Sequence, residues 1–188
     1  EAHALGILGK NGRGLCHFEG ATDSVDLRIL TFGKAAGSAG GVVAASSKWI
    51  DLITNKARSF IYSTAPPHAQ AAAALAGLHI ITGPEGAHLR QALTGNVRLL
   101  CEKLSIKTPP AAIIPLILGE EANALEASEH LRKAGCIVPA VRYPTVARGK
   151  ARLRVSLSAS HTAEEITELA TNLSLLLNSG KFTLTSGG

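Results

Sequence analysis

Ile29-Leu30-Thr31-Phe32-Gly33-Lys34-Ala35-Ala36-Gly37-Ser38-Ala39-Gly40-Gly41 is a short apolar strand that runs into one lysine and then into glycines and small residues. Residues 25–32 read as a strand and residues 41–45 as a second, which puts Lys34 in a glycine-rich turn. A lysine so placed suits Schiff-base chemistry with a carbonyl cofactor. Its amine must be partly neutral to attack, which desolvation and neighbouring cations promote. The glycines let the backbone come close to a flat ring or a phosphate. The same residues also describe an exposed lysine in a turn. Two phosphate-binding motifs are excluded. A P-loop requires glycine five residues before Gly33 and Ser or Thr after the lysine, where this chain has Arg28 and Ala35. The spacing Gly33, Gly37, Gly40 does not supply G-x-G-x-x-G.

Working outward, the 188 residues suffice for one large domain or one and a half small ones. Ala and Gly are abundant and aromatics few, which suits close-packed α/β layers. No apolar run is long enough to span a bilayer, and the opening residues do not read as a signal peptide. Cys16, Cys101 and Cys136 are odd in number and far apart, which predicts reduced thiols and a cytoplasmic protein. The net charge of +5 is concentrated at Arg142, Arg148, Lys150, Arg152 and Arg154. That cluster suits a carboxylate, the phosphates of a thioester or a polynucleotide. No DNA-reading motif or aromatic-rich strand accompanies it, which argues against nucleic acid. Cys16, His17 and Glu19 lack a second ligand pair at metal spacing and are read as packing.

Along the chain, residues 9–14 have turn chemistry. Ser46-Ser47 caps a helix carrying Trp49, Ile50, Ile53 and Ala57, and residues 60–64 read as a short extended piece. Pro66-Pro67 opens an alanine-rich helix whose small side chains allow close approach, and Thr82-Gly83-Pro84 ends it. The next helix carries Leu89, Leu93, Val97, Leu100 and Leu104 on one stripe. Residues 113–118 form a strand that Pro115 assigns to an edge or a bulge. A helix over residues 120–134 stops at Gly135, and residues 136–141 read as a strand. After a rigid turn at Arg142-Tyr143-Pro144-Thr145-Val146, Leu153, Val155 and Leu157 alternate with Arg152, Arg154 and Ser156. Thr162 and Glu165 form a capping box for a last helix carrying Ile166, Leu169, Leu173 and Leu176. Strands alternate with helices, so the class is α/β. The expected division is residues 1–80, residues 81–177 and a loose tail over 178–188.

Taken together, four segments resemble the α-oxoamine synthases, pyridoxal-phosphate enzymes of aminotransferase fold type I. Glu1-Ala2-His3 with Gly6 and Gly9-x-x-Gly12-Arg13-Gly14 is similar to that family's D-E-A-H-x-x-G…G-x-x-G-R-G segment. Thr31-x-Gly33-Lys34-Ala35-x-Gly37 resembles its cofactor-lysine motif. Phe60-x-Tyr62-Ser63-Thr64-Ala65-x-Pro67 resembles the segment that crosses its dimer interface. Arg142-x-Pro144-Thr145-Val146, Gly149, Ala151-Arg152-Leu153-Arg154 and Ser158-Ala159-x-His161-Thr162 resemble its substrate-binding stretch. The segments occur in order over nearly the whole chain.

The resemblance implies the C-terminal part of the cofactor-binding large domain followed by a small α/β domain. The family's aspartate beside the pyridine nitrogen precedes the position of Glu1, and an upstream half of the large domain is expected there. Lys34 would form the Schiff base with pyridoxal 5'-phosphate and move the substrate's Cα proton. His3 would hydrogen-bond the cofactor's phenolic oxygen. Thr31 would bind its phosphate, unless it only caps the strand end. Thr64 would reach the phosphate of a neighbouring subunit's cofactor, or cap the Pro66 helix. Arg154 would hold the amino-acid carboxylate. Strand alternation puts Arg152 on the same face, so the pattern alone does not choose between them, and the resemblance favours Arg154. Arg142 and Thr145 would line the acyl-chain end. His161 is expected to order the start of the last helix. The implied partners are L-alanine and a pimeloyl thioester, on CoA or an acyl carrier protein, in a homodimer. The alternatives are a glycine-using ligase, a serine-using palmitoyltransferase or an inactive remnant of the fold.

Overall fold

The computed structural model describes residues 1–179 and divides into two units, residues 1–90 and Gln91 onward. The expectation for the tail over residues 180–188 lies outside the described residues.

In the first unit, residues 1–14 form a closed loop. The Leu5 and Ala4 amides donate to the Glu1 carbonyl, Gly6 donates to Gly12, and Gly14 donates to Leu8. A helical turn α1 (Leu15–Phe18) follows. Strands β1 (Leu27–Thr31) and β2 (Gly41–Ala45) pair antiparallel, with Thr31 opposite Gly41, so the lysine stretch is a hairpin loop. Helix α2 (Ser47–Lys56) starts after Ser46, whose side chain makes no capping hydrogen bond, unlike the expected serine cap.

Residues 58–61 form a helical turn, α3 (Arg58–Ile61), and not the expected extended piece. Amides of Phe60 and Ile61 both donate to the Ala57 carbonyl at 3.0 Å. Aromatic and β-branched residues favour a strand only when a neighbouring strand packs against them. No described strand pairs here, and Phe60 and Tyr62 stand 58% and 78% exposed. Helix α4 (His68–Thr82) has Pro67 at its N-cap, so Thr64 does not cap it. Helix α5 (Pro84–Leu104) begins at the proline that follows Gly83.

The second unit is a three-stranded antiparallel sheet of order β3-β5-β4 with helices α6 (Glu121–Lys133) and α7 (Ala163–Asn178). Strand β3 (Ile113–Gly119) is an edge strand with a bulge after Ile117, and its Pro115 is exposed, where a missing N–H costs no ladder bond. Strand β4 is only Ala140–Val141, shorter than the expected 136–141. Cys136 donates its amide back to Leu131 to close α6, and Pro139 has no N–H to donate. Ile137 is consequently 90% exposed.

Strand β5 (Ala151–Ser156) alternates as its sequence predicts. Ala151, Leu153 and Val155 are buried, while Arg152 and Arg154 are half-buried. The core gathers Leu100, Cys101, Leu131, Leu153, Ile166 and Leu173. The capping box forms in full: Glu165 donates its amide to Thr162 Oγ1, and Thr162 donates its amide to the Glu165 carboxylate.

Candidate active site

The Lys34 loop is held at several points. Phe32 donates to Gly40 and Ser38 donates to Phe32, both at 2.9 Å, and a turn closes from the Gly37 amide to the Lys34 carbonyl. Gly37 has φ +63, a conformation that side chains oppose. Ala36 is 3% exposed and packs with Leu5 and Ile81. A Cβ on Gly77 of α4 would collide with the Ala36 carbonyl, so only glycine permits this approach. Ser38 Oγ donates to the Gln70 carbonyl of α4 at 2.8 Å. The Lys34 side chain itself is exposed and makes no ion pair with any described residue.

Thr31 caps the turn in the way its strand-end position suggests. Its Oγ1 accepts from the Gly33 amide at 3.3 Å. His3 is exposed on the 1–14 loop, and that loop meets the lysine turn at Gly6, where a Cβ would lie 2.8 Å from Ala35 Cβ. The structure therefore brings the His3 loop, Thr31 and Lys34 to one neighbourhood. Thr64 stands in the exposed stretch between α3 and α4 and makes no hydrogen bond to the lysine loop.

Glu1 fastens the loop to α1 and β1. Its carboxylate accepts from Leu15 at 2.6 Å and Cys16 at 2.9 Å, and its backbone nitrogen donates to Ile29. Burial opposes its ionisation, but the hydrogen bonds from Cys16 and Leu15 outweigh it and hold the carboxyl below its usual range. A hydrogen bond of its own side chain with Glu1, helped by desolvation, pushes the Cys16 thiol up. Among the described residues, no group of three or more His, Cys, Asp or Glu side chains is arranged to hold a metal.

In the second unit the two arginines of β5 part company. Arg152 Nε donates to the Lys150 carbonyl at 3.0 Å and so serves its own loop. Arg154 Nε is buried and has no hydrogen-bond partner among the described residues. Arg154 lies opposite Pro115, which adds no acceptor side chain. Arg142 and Thr145 share one exposed turn, closed by the Thr145 amide donating to the Arg142 carbonyl at 3.0 Å. The Arg148 guanidinium sits over the Tyr143 ring, 4.2 Å from its centroid.

His161 orders the entry to α7. Its Nδ1 accepts from Ser158, and Asn96 donates to both the Ser158 and His161 carbonyls. Asn96, Ser38 and Gly77 carry no site motif in the sequence. Only a glycine within an alanine-rich helix signalled one of them. A cavity of about 290 Å³ opens beside Cys136, Ser156 and His161, and neither Arg142, Thr145 nor Arg154 lines it.

The family described as Aminotransferase class I and II matches residues 1–173. The chain belongs to that family. Its fold is the C-terminal part of the pyridoxal-phosphate-dependent fold type I. An 8-amino-7-oxononanoate synthase of Bordetella petrii is 43% identical over 183 residues, covering 95% of this chain and 46% of the relative. The crystal structure of an 8-amino-7-oxononanoate synthase from Francisella tularensis aligns with a TM-score of 0.80 at 28% identity, over 96% of this chain and 53% of that one. A serine palmitoyltransferase variant from S. paucimobilis, with a bound PLP–myriocin aldimine, aligns with a TM-score of 0.87 at 25% identity, over 95% of this chain and 46% of that one. The chain thus spans about half the length of the relatives it matches. No helix among the described residues is long and apolar enough to cross a membrane.

Proposed function

We propose that this chain carries the lysine-bearing and carboxylate-binding part of a pyridoxal-phosphate enzyme that condenses L-alanine with a pimeloyl thioester, releasing the carrier thiol, CO₂ and 8-amino-7-oxononanoate. The observation that carries the reading is Lys34: an exposed amine on a turn whose C-terminal side is fixed by buried Ala36 and by the bond from Ser38 to Gln70. The neighbouring donor set fits the cofactor. A hydroxyl at Thr31 suits a phosphate, and an imidazole at His3 suits a phenolic oxygen.

Pyridoxal 5'-phosphate supplies, when bound, the aldehyde that takes up an amine and the ring that accepts the electron pair released at Cα. The chain's own residues do the rest. Lys34 would hold the cofactor through its amine and, when free, would move the Cα proton. Arg154 holds the amino-acid carboxylate through its guanidinium, and the unpartnered buried Nε supports that role over Arg152. Arg142 and Thr145 line the acyl-chain end. Arg148 and Lys150 meet the phosphates of the thioester carrier. Thr64 serves the cofactor phosphate of the second subunit of a homodimer.

The test uses the gene product that carries this chain. Borohydride reduction in the presence of pyridoxal phosphate is followed by peptide mapping, and product formation is measured with L-alanine, glycine and L-serine. The label is expected on Lys34, and Lys34→Ala should lower turnover by about 10²- to 10⁴-fold, the usual worth of a positioned acid–base. Label on a different lysine would refute the assignment. Equal turnover of glycine or serine would refute the substrate.

A further inference from the structure

We infer that Ser38 and Gly77 are positioning residues that clamp the lysine turn onto α4 and set the reach of the Lys34 amine. The inference rests on Lys34 being the cofactor lysine. Two independent contacts carry it. Ser38 Oγ donates to the Gln70 carbonyl, in the first turn of α4, at 2.8 Å. Further along the same helix, Gly77 leaves room for the Ala36 carbonyl, with Ala36 Cα only 3.1 Å from where a Cβ would stand. The two contacts are seven residues apart on α4, so both lie on one face after two turns.

Lys34 immediately precedes these contacts and that of Ala35 with Gly6. Its own carbonyl is also fixed, by the Gly37 amide. The side chain is free while its backbone is not. That combination is needed by a group that must detach from a ring, swing away and return to one proton. A misplacement of about 1 Å at such a group can cost on the order of 10²-fold in rate.

The experiment follows attachment of pyridoxal phosphate to Lys34 in the gene product carrying this chain. The Lys34 nitrogen bonds the aldehyde carbon and the carbonyl oxygen leaves as water; the visible absorbance of the bound cofactor reports the rate, and borohydride trapping reports the site. Ser38→Ala is expected to slow attachment about three- to tenfold, the worth of one hydrogen bond. It should also speed amide exchange at residues 33–37 without changing the unfolding midpoint of the second unit. Ser38→Thr, which keeps the hydroxyl, should restore both.

Gly77→Ala should slow attachment more, and its folding is checked by circular dichroism. Should that variant fail to fold, the serine pair decides alone. Attachment and exchange in Ser38→Ala equal to the parent, with Lys34 still labelled in the parent, would overturn the clamp and leave the function standing. A parent that labels elsewhere than Lys34 would bring down the function, and the clamp with it.

Discussion

Replacing Arg154 by Met should raise the Michaelis constant for L-alanine while leaving the fold at least as stable. The side chain's Nε is buried without a partner, and a buried donor left unmade costs about 1–3 kcal/mol. Methionine keeps an apolar stem of similar length and removes that cost, so the unfolding midpoint in urea should hold or rise. In binding, the guanidinium would be replaced by nothing. Each hydrogen bond to a charged group is worth about 1.5–3 kcal/mol, which converts to about 10- to 150-fold in the Michaelis constant per bond lost. Arg152→Met should behave in the opposite way. Its Nε bond to Lys150 is satisfied within the fold, so the loss falls on stability by about 0.5–1.5 kcal/mol and hardly on substrate. Steady-state kinetics over an alanine series and urea titrations of both variants supply the four numbers. A weakened fold with unchanged alanine affinity in Arg154→Met, together with lost affinity in Arg152→Met, would refute the assignment of Arg154.

Reversing charge at the exposed Arg148 and Lys150 should raise the thioester's Michaelis constant several-fold at low salt, an effect that fades as ionic strength rises. An unchanged constant at low salt counts against a phosphate contact there. Leu131→Ala, at a fully buried position, should destabilise the second unit by about 2–5 kcal/mol in chemical denaturation. A loss below about 1 kcal/mol would mean the site collapses around the change. The Glu1 carboxyl sits below its ordinary range, so its contribution is present above the unfolded carboxylate value of about 4.3 and is lost as pH falls through the lower folded value. Glu1→Gln should therefore narrow the stability gap to the parent on acidification. Parallel stability curves would show that the hydrogen bonds from Leu15 and Cys16 do not depend on the charge.

Local chemistry was legible wherever a single segment decided its own state. The strand before Lys34, the glycine turn after it, the Thr162–Glu165 box and the alternation through Leu153 and Val155 all follow from short-range rules. Pro115 predicted an edge because a missing N–H is a local fact with one tolerable place in a sheet. The errors came where a segment depended on a partner. Residues 60–64 have strand-like composition but no strand beside them, so local helical bonds won. Residues 136–141 were expected to pair throughout, yet the end of α6 took Cys136 and only Ala140 and Val141 reached β5.

The sequence by itself therefore determined the α/β class, the family motifs and the candidate lysine, since these are set by residue type and spacing. Only the structure shows which β5 arginine is spoken for. Arg152 and Arg154 share a face, and only the position of the Lys150 carbonyl separates them. It likewise decided that Ser38 and Gly77 meet the lysine turn, because both contacts join residues more than thirty positions apart. Such contacts form when helix and hairpin bury Ala36 and Ile81 together, a pairing that no short-range rule contains.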